Sequence, residues 1–184
     1  MISCKENKWK RKCSVVLLDH PRLKVLEDEV ILPDGKQIKY LRFGETHDSV
    51  TIIVQGKEEK ILLLSEYSYP PKKWLFEFPG GSVKRSEDHK AAANRELAEE
   101  ANLKANELRL LGRYLINNRR SDALMYVFLA TTIENAFLEK DTEEDFNIFW
   151  YRIDEIDNMI KKGDITNCHV LAPWTLYKSV VKIK

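Results

Sequence analysis

Length, composition and charge restrict the classes of protein to which this chain can belong. Its 184 residues, 43% hydrophobic and 32% charged, suit one globular domain with a real core, and two domains are disfavoured. The formal net charge of +1 gives no general attraction to nucleic acid, and no apolar stretch is long enough to span a membrane.

Cysteine usage and the N-terminal segment indicate a cytoplasmic protein. Cys4, Cys13 and Cys168 are odd in number and lack the spacing of metal ligands, as expected for reduced thiols. The basic run over residues 5–12 is interpreted as a solvated arm rather than a nucleic-acid patch. Behind it, the apolar residues 14–18 are too few for the core of a signal peptide.

Residues 1–44 are predicted to form a β-rich region. Strands are expected over residues 14–18, 22–32 and 36–43, and Val25, Val30 and Ile31 in the second of these lie among charged neighbours. Pro33-Asp34-Gly35 is a turn signal between the last two strands.

A second hairpin is predicted for residues 49–54 and 61–67, joined by the polar turn 55–60. The continuous apolar run 61–64 favours a strand that is buried on both faces. A further short strand, residues 74–78, precedes a Pro-Gly-Gly turn.

A helix follows the glycine turn, and we predict that Ser86 caps its N-terminus. At about 100° per residue, Ala93, Leu97 and Ala101 fall on one side, which we expect to pack against the core. The sequence therefore predicts a helix that is docked through small and apolar residues.

Three carboxylates lie beside that packed side. Glu96, Glu99 and Glu100 fall within an arc of about 100°, where like charges repel, so a cation is expected among them. Carboxylates without a His or Cys partner favour Mg²⁺ or Mn²⁺ over zinc. Gly80 and Gly81 let the backbone approach, so a main-chain carbonyl could join the same ion.

Two strands, residues 108–116 and 123–130, are predicted after this helix. The loop between them contains Arg119 and Arg120, which either clamp a phosphate or serve as exposed solubilising side chains.

The C-terminal part begins with the acidic segment 139–145, which precedes a predicted strand over residues 146–151. Helices are expected over residues 153–162 and 168–182, and Pro173 marks either a later start or a kink in the last one.

The segment 81–103 resembles the Nudix box, G-x5-E-x7-R-E-U-x-E-E-x-G-U, in which U is apolar. Asn102 stands where the family has glycine, and asparagine tolerates the left-handed backbone that ends a helix. The remaining positions are filled by Gly81, Glu87, Arg95, Glu96, Leu97, Glu99, Glu100 and Leu103.

This resemblance implies an α+β protein with the Nudix fold: an α/β/α sandwich with a mixed central β-sheet, plus an N-terminal antiparallel β-sheet region. Residues 45–184 would form the Nudix hydrolase domain. Residues 1–44 would form a β-rich element that joins two copies into a homodimer.

Beyond the box, the chain resembles the branch that hydrolyses ADP-ribose and other nucleoside diphosphate sugars. The similar pieces are Leu-Pro-Asp-Gly at residues 32–35, Trp-x-x-Glu-x-Pro-Gly-Gly at 74–81, and Lys-Gly-Asp-Ile-Thr-Asn at 162–167. The resemblance thus covers most of the chain.

Carried over residue by residue, the resemblance implies a complete site. The Gly80 carbonyl, Glu96, Glu99 and Glu100 would hold Mg²⁺ or Mn²⁺, and Glu99 would also take part in catalysis. Glu144 would position or deprotonate the attacking water, with Glu143 as the alternative. The structural members of the motif are Gly81, Glu87 and Arg95, of which Arg95 pairs with Glu87.

The residues expected to bind the substrate match the pattern of this branch less well than the metal-binding residues do. Glu77 either contacts the ligand or forms a structural ion pair. The branch often has an arginine where Ser68 stands, and a loop proline is replaced by the region of Asn118 and Arg119. Arg119 or Arg120 would then supply the missing positive charge.

The predicted activity is Mg²⁺-dependent cleavage of a nucleoside diphosphate sugar, with ADP-ribose as the leading candidate, to a nucleoside monophosphate and a sugar phosphate. One alternative is hydrolysis of nucleoside triphosphates or dinucleoside polyphosphates. Another, of a different class, is a non-catalytic sensor of nucleotide sugars.

Overall fold

The computed structural model describes residues 8–136 and 147–181, and these divide into two compact units. Unit 1 comprises the N-terminal residues up to Thr46 together with Leu115–Ala123, and unit 2 comprises His47–Tyr114 and the residues from Leu124 onward.

Unit 1 contains an antiparallel sheet of three strands in the order β1-β2-β3, which are Lys10–His20, Leu23–Ile31 and Gln37–Gly44. The three N-terminal strands predicted from the sequence are confirmed. β1 begins earlier than predicted, because its charged residues pair with the end of β2. The predicted turn is present, with Gly35 at a φ of +85°.

β1 is exposed along its whole length, although its middle is aliphatic. Val15, Val16, Leu17 and Leu18 all have roughly half of their surface in solvent. The strand therefore presents apolar side chains that unit 1 does not cover.

Unit 2 is built from three sheets and three helices. β4 is central in a mixed sheet of order β7-β4-β10-β9, where it runs parallel to β10 and antiparallel to β7. Two antiparallel sheets, β12-β5-β6 and β11-β8, complete the set. The strands are Ser49–Val54 (β4), Ile61–Ser68 (β5), Lys73–Glu77 (β6), Gly80–Ser82 (β7), Leu103–Ala105 (β8), Arg109–Leu115 (β9), Leu124–Ala130 (β10), Ile133–Asn135 (β11) and Asn147–Tyr151 (β12); the helices are His89–Ala101 (α1), Ile153–Lys162 (α2) and Cys168–Val180 (α3).

The mixed sheet is covered on both faces, which confirms the predicted α+β class. Val50, Ile52 and Val54 belong to the core cluster that contains the buried side of α1. Ile53, on the opposite face of β4, is also fully buried. Helix α3 contacts β4 and β10 as well, so helices lie against the sheet of unit 2.

The predicted hairpin of residues 49–54 and 61–67 is wrong. β4 and β5 lie in different sheets and are joined only by an isolated bridge between Gln55 and Ile61. Burial on both faces makes β4 suitable as the parallel neighbour of β10, and the connection contains the 3-10 turn Lys57–Glu59.

Helix α1 begins two residues later than the predicted Ser86 cap. Asp88 is the N-cap, and its carboxylate accepts hydrogen bonds from the backbone N–H groups of Lys90 and Ala91 at 3.0 and 3.3 Å. Ser86 has a left-handed backbone with φ 66°, which is unsuited to an N-cap.

At its other end, α1 stops at Asn102, which is left-handed with φ 53°. The predicted left-handed helix end at the asparagine is therefore confirmed. Helix α3 starts at Cys168 as predicted and continues through the buried Pro173, so a later start is excluded.

The docking of α1 is tested by Leu97→Ala. Leu97 is fully buried, so we expect the truncation to lower the free energy of unfolding by about 2–5 kcal/mol. Urea unfolding followed by circular dichroism measures this change. Lys90→Ala, on the exposed side of the helix, is the control, and an equal loss in both variants would contradict the assigned packing.

Candidate active site

Two of the three glutamates of α1, Glu96 and Glu99, share one cation, Arg95. Its Nη1 donates to Glu96 Oε1 at 2.7 Å and to Glu99 Oε2 at 3.0 Å. Glu96 and Glu100 are 9% and 7% exposed, whereas the side chain of Glu99 is 30% exposed. Among the described residues, Arg95 therefore compensates part of the negative charge of Glu96 and Glu99.

Arg95 is held in turn by Glu87. The guanidinium donates through Nε to Glu87 Oε1 at 2.9 Å and through Nη2 to Oε2 at 3.0 Å, in a fork geometry. Nη2 also reaches the Ser82 carbonyl at 3.0 Å, and Glu87 Oε2 accepts the Lys84 backbone N–H at 2.9 Å. The predicted Arg95–Glu87 pair is present, and it ties the loop before α1 to the helix.

This pair shifts the titration of both partners. The hydrogen bonds from Arg95 lower the pKa of Glu87 to about 2, and the partners of Arg95, Glu87 first, raise the pKa of its guanidinium. Both groups are therefore charged over the whole range in which proteins are usually stable.

The glycine turn lies directly against the carboxylates. Gly80 N–H donates to Glu100 Oε2 at 2.9 Å, and a Cβ at Gly81 would lie 2.5 Å from the Glu96 carboxyl group. A Cβ at Gly80 would overlap the Val50 carbonyl oxygen on β4. Position 80 therefore needs glycine, because the β4 backbone occupies the space of a side chain, whereas a side chain at position 81 would displace the Glu96 carboxylate.

The residues present fit a hard divalent cation. Glu96, Glu99 and Glu100 offer only oxygen donors, and the absence of a side chain at Gly81 leaves room for the buried Glu96 carboxylate. Within the described ranges, no cluster of three His, Cys, Asp or Glu side chains is arranged around a single point. Arg95 Nη1 holds two of the carboxylates, so an ion would compete with this guanidinium for their oxygens.

Glu77 is connected to helix α3. Asn167, the N-cap of α3, donates through Nδ2 to Glu77 Oε1 at 3.2 Å and to the Phe76 carbonyl at 3.0 Å. Asn167 Oδ1 and Tyr114 Oη are buried and have no hydrogen-bond partner in the described part of the chain. Burial raises the pKa of Tyr114, and nearby Cys168 and Glu77 raise it further.

Sequence reasoning missed Asn167 and Tyr114. The usable signal was an asparagine directly before a predicted helix, which is a common N-cap. Nothing in the local pattern of β9 points to the tyrosine.

His89, the first residue of α1, is part of a second polar cluster. Its Nε2 lies 3.1 Å from Asp48 Oδ2, and its ring centroid is 3.9 Å from that of Tyr126. Asp48 also accepts the Leu124 backbone N–H at 3.0 Å. Asp48 therefore links the starts of β4, β10 and α1, and the sequence contained no motif that singled it out.

Arg119 and Arg120 belong to unit 1. Arg120 Nη1 donates to the carbonyls of Leu41 and Arg119 at 3.1 and 3.2 Å, and its guanidinium lies 5.8 Å from the Tyr40 ring centroid. Glu144 and Glu143, the candidates for positioning water, lie outside the described residues.

The fold and the carboxylate site define a class of protein. The family model of the NUDIX domain matches residues 45–172, so the chain belongs to the Nudix family. It is a hydrolase of the class that acts on phosphoanhydrides, and Nudix hydrolases generally use divalent metal ions. Among the described residues, no helix has the length and apolar character required to cross a bilayer.

Particular relatives differ in substrate. ADP-ribose pyrophosphatase of Bacillus subtilis is 25% identical, covering 64% of this chain and 63% of that protein. A CMP-5'-(N-acetyl-N-hydroxy-3-aminopropyl)phosphonate hydrolase of Streptomyces rubellomurinus is 25% identical over 85% of this chain and 75% of its own. Diphosphoinositol polyphosphate phosphohydrolase 2 of Rattus norvegicus is 35% identical, over 54% of this chain and 53% of that protein.

Among solved structures, an ADP compounds hydrolase has the same fold. Its TM-score is 0.86 at 20% identity, covering 94% of this chain and 93% of the other.

The Arg95–Glu87 pair predicts a pH-dependent contribution to stability. The pKa of Glu87 is near 2 in the folded state against 4.5 unpaired, so its stabilisation is complete above pH 4.5 and is lost as the pH falls toward 2. We expect Glu87→Gln to lower the free energy of unfolding by roughly 2 kcal/mol at pH 6, and by much less at pH 3.

Urea titrations of both proteins between pH 3 and 6 measure this difference. Glu107→Gln, at an exposed position after the box, is the matched control. A deficit in Glu87→Gln that stays constant over this range would contradict the assignment.

Proposed function

We propose that this protein is a pyrophosphohydrolase, dependent on Mg²⁺ or Mn²⁺, that cleaves the diphosphate of a nucleoside diphosphate sugar. ADP-ribose is the favoured substrate, and the products are a nucleoside monophosphate and a sugar phosphate. The observation that carries the proposal is the set of three α1 carboxylates, two of which, Glu96 and Glu100, lie against the Gly80–Gly81 backbone. Similarity to the ADP-ribose pyrophosphatase of Bacillus subtilis supports the choice of substrate.

Glu96, Glu99, Glu100 and the Gly80 carbonyl would hold the ion. When bound, a divalent ion neutralises charge on the phosphate oxygens and lowers the pKa of a coordinated water. Burial strengthens the field of Glu96 and Glu100, and the Gly80 N–H fixes the Glu100 carboxylate. Glu99, the most exposed of the three, would also take part in catalysis.

The remaining site residues complete the proposal. Arg95 and Glu87 hold the loop against α1, and Glu144, or alternatively Glu143, positions the attacking water. Glu77 is fixed by Asn167 and would contact the ligand through its second carboxylate oxygen. Arg119 or Arg120 would supply positive charge for a phosphate of the ligand, because Ser68 stands where the branch often has an arginine.

A second candidate is hydrolysis of nucleoside triphosphates or dinucleoside polyphosphates. Ser68 in place of arginine favours it, because a cation at that position would bind a sugar-linked diphosphate. Product analysis separates the two: AMP with ribose phosphate supports the first, and inorganic pyrophosphate from a triphosphate supports the second. Ligand binding without any metal-dependent product would favour the third candidate, a nucleotide-sugar sensor.

A homodimer in the cytoplasm is part of the same proposal. The aliphatic residues 15–18 of β1 are exposed in unit 1, and a second copy would cover them. Residues 1–44 would thus serve as the dimerisation element, and 45–184 as the hydrolase domain. The cytoplasm agrees with Cys13 and Cys168, which are free thiols within the described ranges.

Glu100→Gln tests the catalytic site. Loss of the buried charge should lower kcat for Mg²⁺-dependent AMP release from ADP-ribose by about 10²-fold or more, because preorganised electrostatic groups contribute on that scale. The amide can still accept the Gly80 N–H, so a circular dichroism melt should remain cooperative. Glu107→Gln is the control, and wild-type turnover in Glu100→Gln would remove the assignment.

Light scattering at micromolar concentration tests the dimer. We expect the wild type to have twice the mass of one chain, and Val16→Lys to shift it toward the monomer by placing a charge in the apolar contact. Leu110→Lys, an equivalent change at an exposed residue of unit 2, should not do so. A monomeric wild type would contradict the proposal.

A further inference from the structure

Unit 1 contains an arginine-lined cavity, and two of its arginines, Arg11 and Arg42, have no role in the proposed hydrolase site. The cavity has a volume of about 530 Å³, and Arg11, Arg42, Arg119, Arg120 and Tyr40 are among the residues that line it. We call it the arginine pocket. Its volume is within the range of small-molecule binding sites, about 300–1,000 Å³.

Arg42 is anchored by a buried carboxylate. Asp28 is 6% exposed, and its Oδ2 accepts Arg42 Nε at 2.7 Å while its Oδ1 accepts Ser14 Oγ at 2.6 Å. Arg42 Nη1 also donates to the Phe43 carbonyl at 3.2 Å. These bonds fix the orientation of the Arg42 guanidinium. They leave its Nη2 without a hydrogen-bond partner in the described part of unit 1.

Arg120 is anchored by the backbone. Its Nη1 donates to two carbonyls, and the ring of Tyr40 lies under the guanidinium. Tyr40 itself donates its hydroxyl to the Arg119 carbonyl at 2.7 Å, which holds the loop that contains both arginines. The side chain of Arg119 forms no hydrogen bond or ion pair with the described residues and remains available to a ligand.

The charge of the pocket is positive. Four arginines line it, against two carboxylates, Glu45 and Asp122. Glu45 is paired with Lys24 at 2.7 Å, and Asp122 accepts the Thr46 hydroxyl at 3.0 Å. Fixed guanidinium groups with unused N–H donors are suited to a phosphate, which they bind through two parallel hydrogen bonds.

The kind of phosphate follows from the same charges. A diphosphate that is bridged by a divalent ion has much of its charge compensated, and four arginines repel the ion. A phosphomonoester without metal keeps close to two negative charges at neutral pH.

We propose that the arginine pocket binds a metal-free phosphomonoester of a nucleotide, separate from the diphosphate that is cleaved. The inference rests on the proposed function in one respect only, namely that the ligand is a nucleotide. The phosphomonoester belongs either to the substrate, on its ribose, or to a second nucleotide that binds independently.

Calorimetric titration in EDTA tests the binding. AMP is the probe, and adenosine is the control without phosphate. We expect Arg11→Gln to weaken AMP binding by about tenfold or more, while Arg22→Gln, an exposed arginine of unit 1 outside the pocket, leaves it unchanged. Arg42→Gln is made together with Asp28→Asn, so that no buried carboxylate is left without its cation, and should weaken AMP binding similarly.

Hydrolysis rates distinguish the two sources. If the phosphate belongs to the substrate, the ratio of kcat/KM for ADP-ribose 2'-phosphate over ADP-ribose falls in Arg11→Gln. If it belongs to a second nucleotide, that ratio is unaffected while AMP binding remains sensitive to the substitution.

Equal AMP affinity in Arg11→Gln and Arg22→Gln, or equal affinity for AMP and adenosine, overturns the proposal. Absence of hydrolysis of both substrates would count against the proposed function alone, because the titration does not depend on turnover.

Discussion

The candidate site depends on a single guanidinium. Arg95 bonds Glu87 through a two-point fork and also holds Glu96 and Glu99, so one cation joins the loop before α1 to two carboxylates on the helix. Without it, three acidic side chains on adjacent turns would repel one another in a partly buried place. Arg95 thus keeps potential metal-ligating oxygens close together by reducing the electrostatic repulsion between them.

The carboxylates fit beside the neighbouring strand because that strand has glycine at positions 80 and 81. Gly81 leaves the volume that the Glu96 carboxyl group occupies, and Gly80 approaches both the Val50 carbonyl and Glu100. The strand β7 that contains the two glycines pairs with β4, which is buried on both faces. The mixed sheet therefore holds the carboxylate site through the backbone hydrogen bonds of a strand rather than through a loop.

The sequence predicted the features that depend on interactions between residues close together in the chain. The spacing of the box located α1, its left-handed end at Asn102 and the pairing of Arg95 with Glu87, because each depends on residues within a few helical turns. It failed where distant segments compete: β4 pairs with β10, about 75 residues later in the chain, instead of with its neighbour β5. The Asp48 and Asn167 contacts could not be foreseen for the same reason, since their partners lie 41 and 90 residues away.

The two units present opposite charges at their candidate sites. Unit 2 offers carboxylates, which bind phosphate only through a cation that they share with it, whereas unit 1 offers guanidinium groups, which bind phosphate directly. The first arrangement withdraws electrons from phosphorus and suits cleavage, while the second neutralises charge without activating water and suits retention. Because each kind of group binds phosphate by its own chemistry, we expect substitutions in the arginine pocket to change ligand retention and substitutions among the carboxylates to change bond cleavage.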